Sequence, residues 1–261
     1  MSADAVARSA AELSSGTPGP EAERTTSGKR MDAASTSPSS DELATTRRSL
    51  HAVAEHIMAG PQHRLAGTIR LVVTSDGFST IALVGDSGRL EVRGTSLVAH
   101  RPAAEIQVAL AGSIADVAGA VGVDPGAPVG VYPDGSGADA SFKVVVEPAA
   151  TQQILSALAI GDAALRRFTT RHRSEDSRVP VLWPEHFDVG IDLDEVNYGV
   201  SPGDGLITEP YAYVGPWQRR RGPLWNQPFG AARSMGELGD IDAVVAFFQA
   251  GRDAAVTDPV A

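Results

Sequence analysis

The side chains that could do chemistry or bind a ligand are concentrated between residues 183 and 229. This segment contains all three tryptophans, three of the four tyrosines and two of the seven phenylalanines of the chain. It also contains His186 close in sequence to several carboxylates. Aromatic walls beside convergent polar groups are typical of a ligand site, but a packed sheet with one polar face has the same composition. The segment therefore indicates where a site would lie.

Alternation of polar and apolar residues predicts a strand over 185–193, because successive side chains on a strand point to opposite faces. The polar face would carry His186, Asp188, Gly190, Asp192 and Asp194. The apolar face would carry Phe187, Val189, Ile191 and Leu193. Carboxylates two residues apart on one face repel each other, so we expect arginines, a cation or water to compensate them.

A second strand is predicted over 209–215, with Glu209, Tyr211 and Tyr213 on one face. If the two strands pair, Glu209 would approach Asp192 or His186. The simplest interpretation is a sheet face exposed to solvent, because charged side chains are mostly exposed in folded proteins.

Two site hypotheses stand beside that outcome. One is a pocket in which His186, Asp188 and Glu209 are the polar contacts. Its aromatic residues would be Trp183, Tyr211, Tyr213 and Trp217. The other is a hard or borderline metal ion held by His186, Asp188 and Glu209, since imidazole and carboxylate are common ligands of such ions.

Two serine motifs resemble catalytic sequences but are predicted to be turns. Gly85–Gly88 reads Gly-Asp-Ser-Gly between two short alternating strands, where such residues form hairpin turns. Gly199–Gly203 reads Gly-Val-Ser-Pro-Gly, but a nucleophile elbow needs a helix directly after the serine. Pro202 and Gly203 exclude that helix, so a loop is predicted.

Two further clusters have a plain interpretation and a functional one. His51, Glu55 and His56 lie on a predicted helix in a spacing that differs from the zinc-protease motif. A solvated helix face is favoured over metal or acid/base use. The arginine run 219–221 lies between Trp217 and Trp225 and could bind phosphate or bases. Pairing with the acidic strand is favoured over nucleic acid.

Composition excludes several classes of protein. The chain has 261 residues, a net charge of −10 and no cysteine. The charge argues against general binding to nucleic acid or anionic membranes. The absence of cysteine excludes disulfides and thiolate metal sites and fits a cytoplasmic protein. We also expect no membrane insertion, since no apolar run approaches the roughly 18 residues needed to cross a bilayer.

The pattern along the chain predicts an α+β fold, with a mainly antiparallel sheet, helices packed on one face and a disordered N-terminal tail. We expect the tail at 1–40, one domain at 41–252 (with two lobes, 41–171 and 179–252, as an option) and a frayed C-terminus at 253–261. The predicted helices are 41–59, 103–122, 148–167 and 240–249. The predicted strands are 68–73, 80–84, 90–93, 96–99, 142–146, 185–193, 195–199 and 209–215. No internal repeat is visible in the sequence.

Four sequence blocks resemble a family of actinobacterial proteins. They are Leu182–Asp188 (LWPEHFD), Asn197–Asp204 (NYGVSPGD), Glu209–Trp217 (EPYAYVGPW) and Leu224–Ala232 (LWNQPFGAA). The resemblance covers about 45–252 and implies a single domain in a bacterial, cytoplasmic protein. It brings no established activity and no catalytic residue with it.

The sequence therefore predicts a binding or interaction module with its site in the 183–229 segment. Its partner would be a small molecule or a protein, and the residues identify no cofactor. The alternative is a metal-dependent or acid/base hydrolase that uses His186, Asp188 and Glu209.

Overall fold

The structure, a computed structural model, describes residues 37–172 and 179–261. Most of the predicted tail and nearly all of the polar link at 172–178 lie outside these residues. The first helix begins at Ser40, and Ser39 is its N-cap. The Ser39 hydroxyl accepts a hydrogen bond from the Glu42 amide, and the Ser39 amide donates to the Glu42 carboxylate. This reciprocal pair satisfies two amides that the first helical turn leaves unpaired.

The described residues form helices and short strands with the following bounds. The helices are α1 (Ser40–Val53), a π-helical turn (Ala54–Ala59), α2 (Gly60–Ala66), α3 (Ile114–Ala120), α4 (Pro148–Arg171), α5 (Met235–Leu238) and α6 (Ile241–Thr257). The strands of the first half are β1 (Leu71–Thr74), β2 (Gly77–Thr80), β3 (Arg89–Arg93), β4 (Ser96–His100), β5 (Glu105–Ala109), β6 (Gly112–Ser113) and β7 (Lys143–Val144). Those of the second half are β8 (Val181–Trp183), β9 (Asp188–Leu193), β10 (Val196–Ser201), β11 (Tyr211–Pro216) and β12 (Ala231–Ser234).

Ten strands form one sheet in the order β12-β11-β10-β9-β8-β1-β2-β3-β4-β5, and every pairing in it is antiparallel. The sheet consists of two five-stranded meanders, β1–β5 and β8–β12. They join at their first strands, where Leu71 lies opposite Leu182. Each meander follows a helix, so the order of elements repeats although the sequence shows no repeat.

The helices pack against one face of the sheet, as the α+β prediction requires. Val189 on β9 and Val200 on β10 are fully buried on this face beneath Gly161 of α4. Helix α4 packs against β1, β2, β9 and β10, so it crosses both meanders. A single hydrophobic cluster runs under both halves, and Ser35–Ala261 forms one compact unit. None of the helices in the described residues is long and apolar enough to cross a membrane.

The predicted helix over 103–122 is wrong for its first half. Residues 105–109 form β5, in which Ile106 and Val108 are half-buried while Glu105, Gln107 and Ala109 are exposed. This alternation has the period of a strand, and pairing with β4 decides the outcome. Helix α3 begins only at Ile114, after Ser113 caps it with Asp116.

Two helices extend past their predicted ends and continue through a glycine near each of those ends. The helix at 41–59 continues through the π-helical turn and α2 to Ala66, and Gly60 lies against the carbonyl oxygen of Gly126. Helix α6 continues past Gly251 to Thr257. The predicted frayed C-terminus is therefore wrong: the Trp225 indole donates to Asp258 at 2.8 Å, and Val260 forms a β-bridge with Arg220. The predicted strand at 142–146 shortens to β7, with Val144 buried and Val145 exposed.

Candidate functional site

A cleft of about 690 Å³ opens beside the turn between β8 and β9. We call it the aromatic cleft. Its walls come from this turn, β10, β11, the loop at 203–206, helix α1 and the loop at 134–135. The residues that line it are Arg47, His51, Asp134, Gly135, Glu185, His186, Phe187, Asp188, Asn197, Ser201, Gly203, Asp204, Leu206, Tyr211, Tyr213, Gly215, Pro216, Trp217 and Phe229.

Asp188 and Tyr213 form the central contact of the cleft. The Tyr213 hydroxyl donates a hydrogen bond to Asp188 Oδ2 at 2.5 Å. The two residues lie on β9 and β11, which are separated by β10. The side chain of Tyr213 therefore crosses a whole strand to reach the carboxylate.

Two glycines make that crossing possible. Gly199 lies opposite Tyr213 on β10 and opposite Gly190 on β9. A Cβ at Gly199 would lie 2.5 Å from the Tyr213 hydroxyl oxygen, and one at Gly190 would lie 3.0 Å from the same atom. Glycine inside a strand often marks the close approach of another group, and here that group is the tyrosine side chain.

The Asp188 carboxyl is buried and only half satisfied. Its side chain belongs to a residue that is 7% exposed, and its Oδ1 atom has no hydrogen-bond partner among the described residues. Burial raises the pKa of Asp188, while the hydrogen bond from Tyr213 and the charge of His186 oppose this rise and Glu185 adds to it. Burial and the neighbouring Asp188 charge raise the pKa of Tyr213 as well. The pair is thus held in a poorly solvated environment that disfavours negative charge.

Aromatic rings form the wall next to this carboxyl. The Tyr211 ring centroid lies 6.3 Å from that of Tyr213 and 6.3 Å from that of Phe229. Phe229 also meets Tyr213 edge-on at 6.4 Å. Trp217 lies at the mouth, 62% exposed, and its indole N–H donates to Asn197 Oδ1 at 3.3 Å. An exposed tryptophan beside packed rings gives the cleft an apolar surface that a ligand can cover.

Asp204 and Arg47 form a second polar group in the cleft. Tyr211 donates its hydroxyl to Asp204 Oδ2 at 2.6 Å, and the amides of Leu206 and Ile207 donate to Oδ1. Burial alone would raise the pKa of Asp204, but these hydrogen bonds lower it. The Arg47 guanidinium donates to the Asp204 carbonyl oxygen at 3.4 Å, so its charge lies beside this acid.

Helix α1 contributes His51 to the cleft. His51 Nε2 lies 2.7 Å from the Pro184 carbonyl oxygen, and its ring stacks on Phe187 at 5.7 Å. Burial lowers the pKa of His51, so the neutral imidazole is favoured. Phe187 has a positive φ of 53° and is 1% exposed. Packing holds this uncommon backbone conformation and thereby fixes the turn that presents Glu185 and Asp188.

One turn further along, Glu55 anchors the loop on the opposite wall. Its carboxylate accepts hydrogen bonds from the amide and hydroxyl of Ser136, next to Asp134 and Gly135. Burial would raise the pKa of Glu55, but the hydrogen bonds from His56 and Ser136 lower it to about 2. Glu55 and His56 are 3% and 7% exposed. The predicted solvated face for this part of the helix is therefore wrong.

The structure brings most of the predicted pocket residues together. Asp188, Tyr211, Tyr213 and Trp217 line the aromatic cleft, and so does His186. His186 does not lie on a strand, because the predicted strand at 185–193 begins only at Asp188 and residues 184–187 form a turn. Its side chain is consequently exposed at the rim.

Two predicted residues lie elsewhere. Trp183 lies opposite Asp188 on β8 but lines a neighbouring depression of about 220 Å³, with Arg70 5.9 Å from its ring. Glu209 is exposed and is not part of the cleft wall. The pairing that would have brought Glu209 to Asp192 or His186 does not form, because β10 lies between β9 and β11.

The metal hypothesis fails on the same geometry. Among residues 37–172 and 179–261, no three His, Asp or Glu side chains are arranged to hold a metal ion. His186, Asp188 and Glu209 are all described and do not form such a group. They do not form a three-residue hydrolytic site either, since Glu209 lies outside the cleft.

The serine motifs have structural roles, as expected. Ser87 lies in a short 3₁₀ turn, and its hydroxyl donates to the Val121 carbonyl oxygen at 2.8 Å. Ser201 ends β10, and a loop follows it. In the arginine run, the Arg221 amide donates to Pro259, and Arg219 accepts from Ala261. Asp194, which follows β9, forms an ion pair with Arg252 of α6 at 2.8 Å.

Sequence reasoning did not assign several lining residues to this site. Among them are Arg47, His51, Glu185, Asp204 and Phe229. The first two carry a signal, because positions 47 and 51 share one helix face. The glycines at 190 and 199 carry another, because glycine is unfavourable inside strands unless something approaches closely.

Comparison of the chain with protein-family models, curated proteins and solved structures gives no match.

Proposed function

We propose that this protein is a binding protein whose small-molecule ligand occupies the aromatic cleft. The observation that carries the proposal is an apolar wall of packed rings beside a buried carboxyl with a free oxygen. Ligand sites combine apolar walls with a few placed polar groups. A volume of about 690 Å³ falls within the usual range for such sites.

A binding role is favoured over hydrolysis because several polar groups of the cleft already have hydrogen-bond partners within the protein. Tyr211 donates to Asp204, Tyr213 donates to Asp188, and His51 contacts a backbone carbonyl. An acid/base enzyme needs a base within reach of a reacting proton, and Glu209 is outside the cleft. The resemblance to actinobacterial proteins and the lack of cysteine favour a bacterial, cytoplasmic setting. The net charge of −10 disfavours nucleic acid as the partner.

A metabolite screen by thermal shift tests the proposal, because a ligand that binds only the folded state raises its melting temperature. Hits are then titrated by tryptophan fluorescence, since Trp217 lies at the mouth of the cleft. We expect Trp217→Phe to abolish most of the signal and to weaken binding. Trp225→Phe is the matched control, because Trp225 contacts Asp258 and does not line the cleft. Hits that bind both variants equally, or no hit at all, would contradict the proposed site.

A further inference from the structure

Two buried carboxylate oxygens, on residues three positions apart in sequence, lack hydrogen bonds. Asp188 Oδ1 and Glu185 Oε2 are both shielded from solvent and have no partner in the described part of the chain. Both residues line the aromatic cleft and the adjoining depression. Buried polar atoms are almost always satisfied, so each exception calls for a specific explanation.

The charges that line the cleft are unbalanced. Asp134, Glu185, Asp188 and Asp204 carry carboxyl groups, and Arg47 is the arginine of the lining. Arg47 contacts the Asp204 carbonyl oxygen, so its charge is used beside that acid. Within the described residues, no Lys or Arg side chain forms an ion pair with Asp188 or Glu185.

The exposed histidine at the rim does not fill this role. His186 is close enough to oppose the rise in the pKa of Asp188. It forms no hydrogen bond to Asp188, whose Oδ2 is occupied by Tyr213 and whose Oδ1 has no partner in the described chain. The second histidine, His51, is held against Pro184.

The aromatic wall suits a cation as well as an apolar group. Tyr213 lies directly against Asp188, and the rings of Tyr211 and Phe229 continue the wall outward. Positive groups are attracted to the faces of such rings, most strongly where water is excluded. A metal ion would need three or more ligands, and no such group exists among the described residues.

We infer that the ligand is an organic amine with an attached aromatic or apolar group, and that its ammonium binds the carboxylates of Asp188 and Glu185. This inference rests on the proposed binding function. The ammonium compensates the charge of the two carboxylates that line the cleft, and the apolar group packs against Tyr211, Phe229 and Trp217. A neutral polyol could also enter the cleft, but it would leave this charge uncompensated.

Three probes of matched shape test the inference by calorimetric titration: 2-phenylethylamine, 2-phenylethanol and 3-phenylpropanoate. We expect the amine to bind about tenfold or more tightly than the alcohol, as hydrogen bonds to charged groups allow, and the carboxylate to bind most weakly. In Asp188→Asn and Glu185→Gln the preference for the amine over the alcohol should fall to about threefold or less, with alcohol binding retained.

Glu209→Gln is the control, because it removes the same charge from an exposed site outside the cleft. Its preference for the amine should equal that of the unaltered protein. Equal binding of amine and alcohol, tighter binding of the carboxylate, or an unchanged preference in Asp188→Asn would overturn the inference. If the alcohol or neutral hits of the metabolite screen bind while the amine does not, only the amine inference fails. If neither these probes nor any compound of the screen binds, the proposed binding function fails with it.

Discussion

At the scale of single residues, the cleft depends on which side chains are absent as much as on which are present. Tyr213 reaches Asp188 only because positions 190 and 199 lack a Cβ. Asp188 in turn has one oxygen satisfied by Tyr213 and one free. These features, together with the environment of Asp204, lead to three residue-level predictions.

Gly199→Ala should destabilise the protein by about 1–3 kcal/mol, the usual cost of overpacking a well-packed site. The added methyl would lie 2.5 Å from the Tyr213 ring and displace it from Asp188. Urea denaturation measures the change in the free energy of unfolding. Gly205→Ala is the matched control, since nothing lies within 4 Å of its added Cβ. A change of equal size in both variants would show that the crossing of Tyr213 is not tightly packed.

Asp188→Asn should change how stability depends on pH. Because burial raises the folded-state pKa of Asp188, the folded state binds this proton more tightly than the unfolded state. That contribution to stability is present below the unfolded pKa of about 4 and is lost as pH rises through the folded pKa. The unaltered protein should therefore lose stability relative to Asp188→Asn as pH rises, although the surrounding groups Glu185, His186 and Tyr213 set the midpoint.

Asp204→Asn should show the opposite dependence. The hydrogen bonds to Asp204 lower its folded-state pKa. The contribution of Asp204 to stability is therefore present above the unfolded pKa and is lost as pH falls through the folded pKa. Denaturation curves of the three proteins over a range of pH check both signs. The same trend in both variants would show that the two carboxyls do not differ in environment.

At the scale of elements, glycines inside the helices mark close packing on the sheet and not helix ends. Gly161 of α4 faces Val200 and Val189, and Gly251 of α6 faces Val214. These glycines let each helix approach the strands that carry the cleft on their other face. A helix C-cap and a close helix–sheet contact both require glycine, so the residue type alone did not distinguish them.

Gly251→Ala should destabilise the protein by about 1–3 kcal/mol through overpacking, because its Cβ would lie 2.6 Å from Val214. Gly119→Ala in α3 is the control and should have the opposite sign. It is exposed with nothing within 4 Å of the added Cβ, and alanine is favoured over glycine in a helix by about 1 kcal/mol. Stabilisation by both substitutions, measured by urea denaturation, would contradict the close contact of α6 with β11.

At the scale of the whole molecule, two meanders of the same topology differ in what fills their exposed face. The pairing registers show which positions of the two meanders are equivalent. His100 in the first meander is equivalent to Tyr213 in the second, and Arg89 is equivalent to Gly199. His100 bonds to Glu91 at 2.7 Å, within a network of ion pairs. The first meander thus satisfies its buried acid internally, whereas the second keeps a free carboxylate oxygen beside a cleft.

The two meanders should unfold together, because they share one sheet, one hydrophobic cluster and helix α4. All three tryptophans lie between the start of β8 and the end of β12, so their fluorescence reports on the second meander alone. Far-ultraviolet circular dichroism reports on both halves. We expect the two signals to give coincident transitions in urea. A second transition seen only by circular dichroism would support independent lobes at 41–171 and 179–252.

The sequence by itself determined the fold class, the apolar face of β9 and the segment that forms most of the cleft. Those features follow from alternation and helical spacing, which are local properties of the chain. It also correctly predicted a turn at Gly85–Gly88 and a loop after Ser201. In the second motif, Pro202 and Gly203 act on the adjacent backbone.

Only the tertiary structure decided which distant residues meet. The order of strands placed β10 between β9 and β11, which separated Glu209 from Asp188 and joined Tyr213 to it across Gly199. Helix α1, more than 130 residues before the cleft strands, supplied His51 through its contact with Pro184. Pairing between strands and packing between layers depend on residues far apart in sequence, so no local pattern encodes them. For that reason the sequence located the segment, and the fold determined which carboxylate within it is buried beside the cleft with one oxygen unpaired.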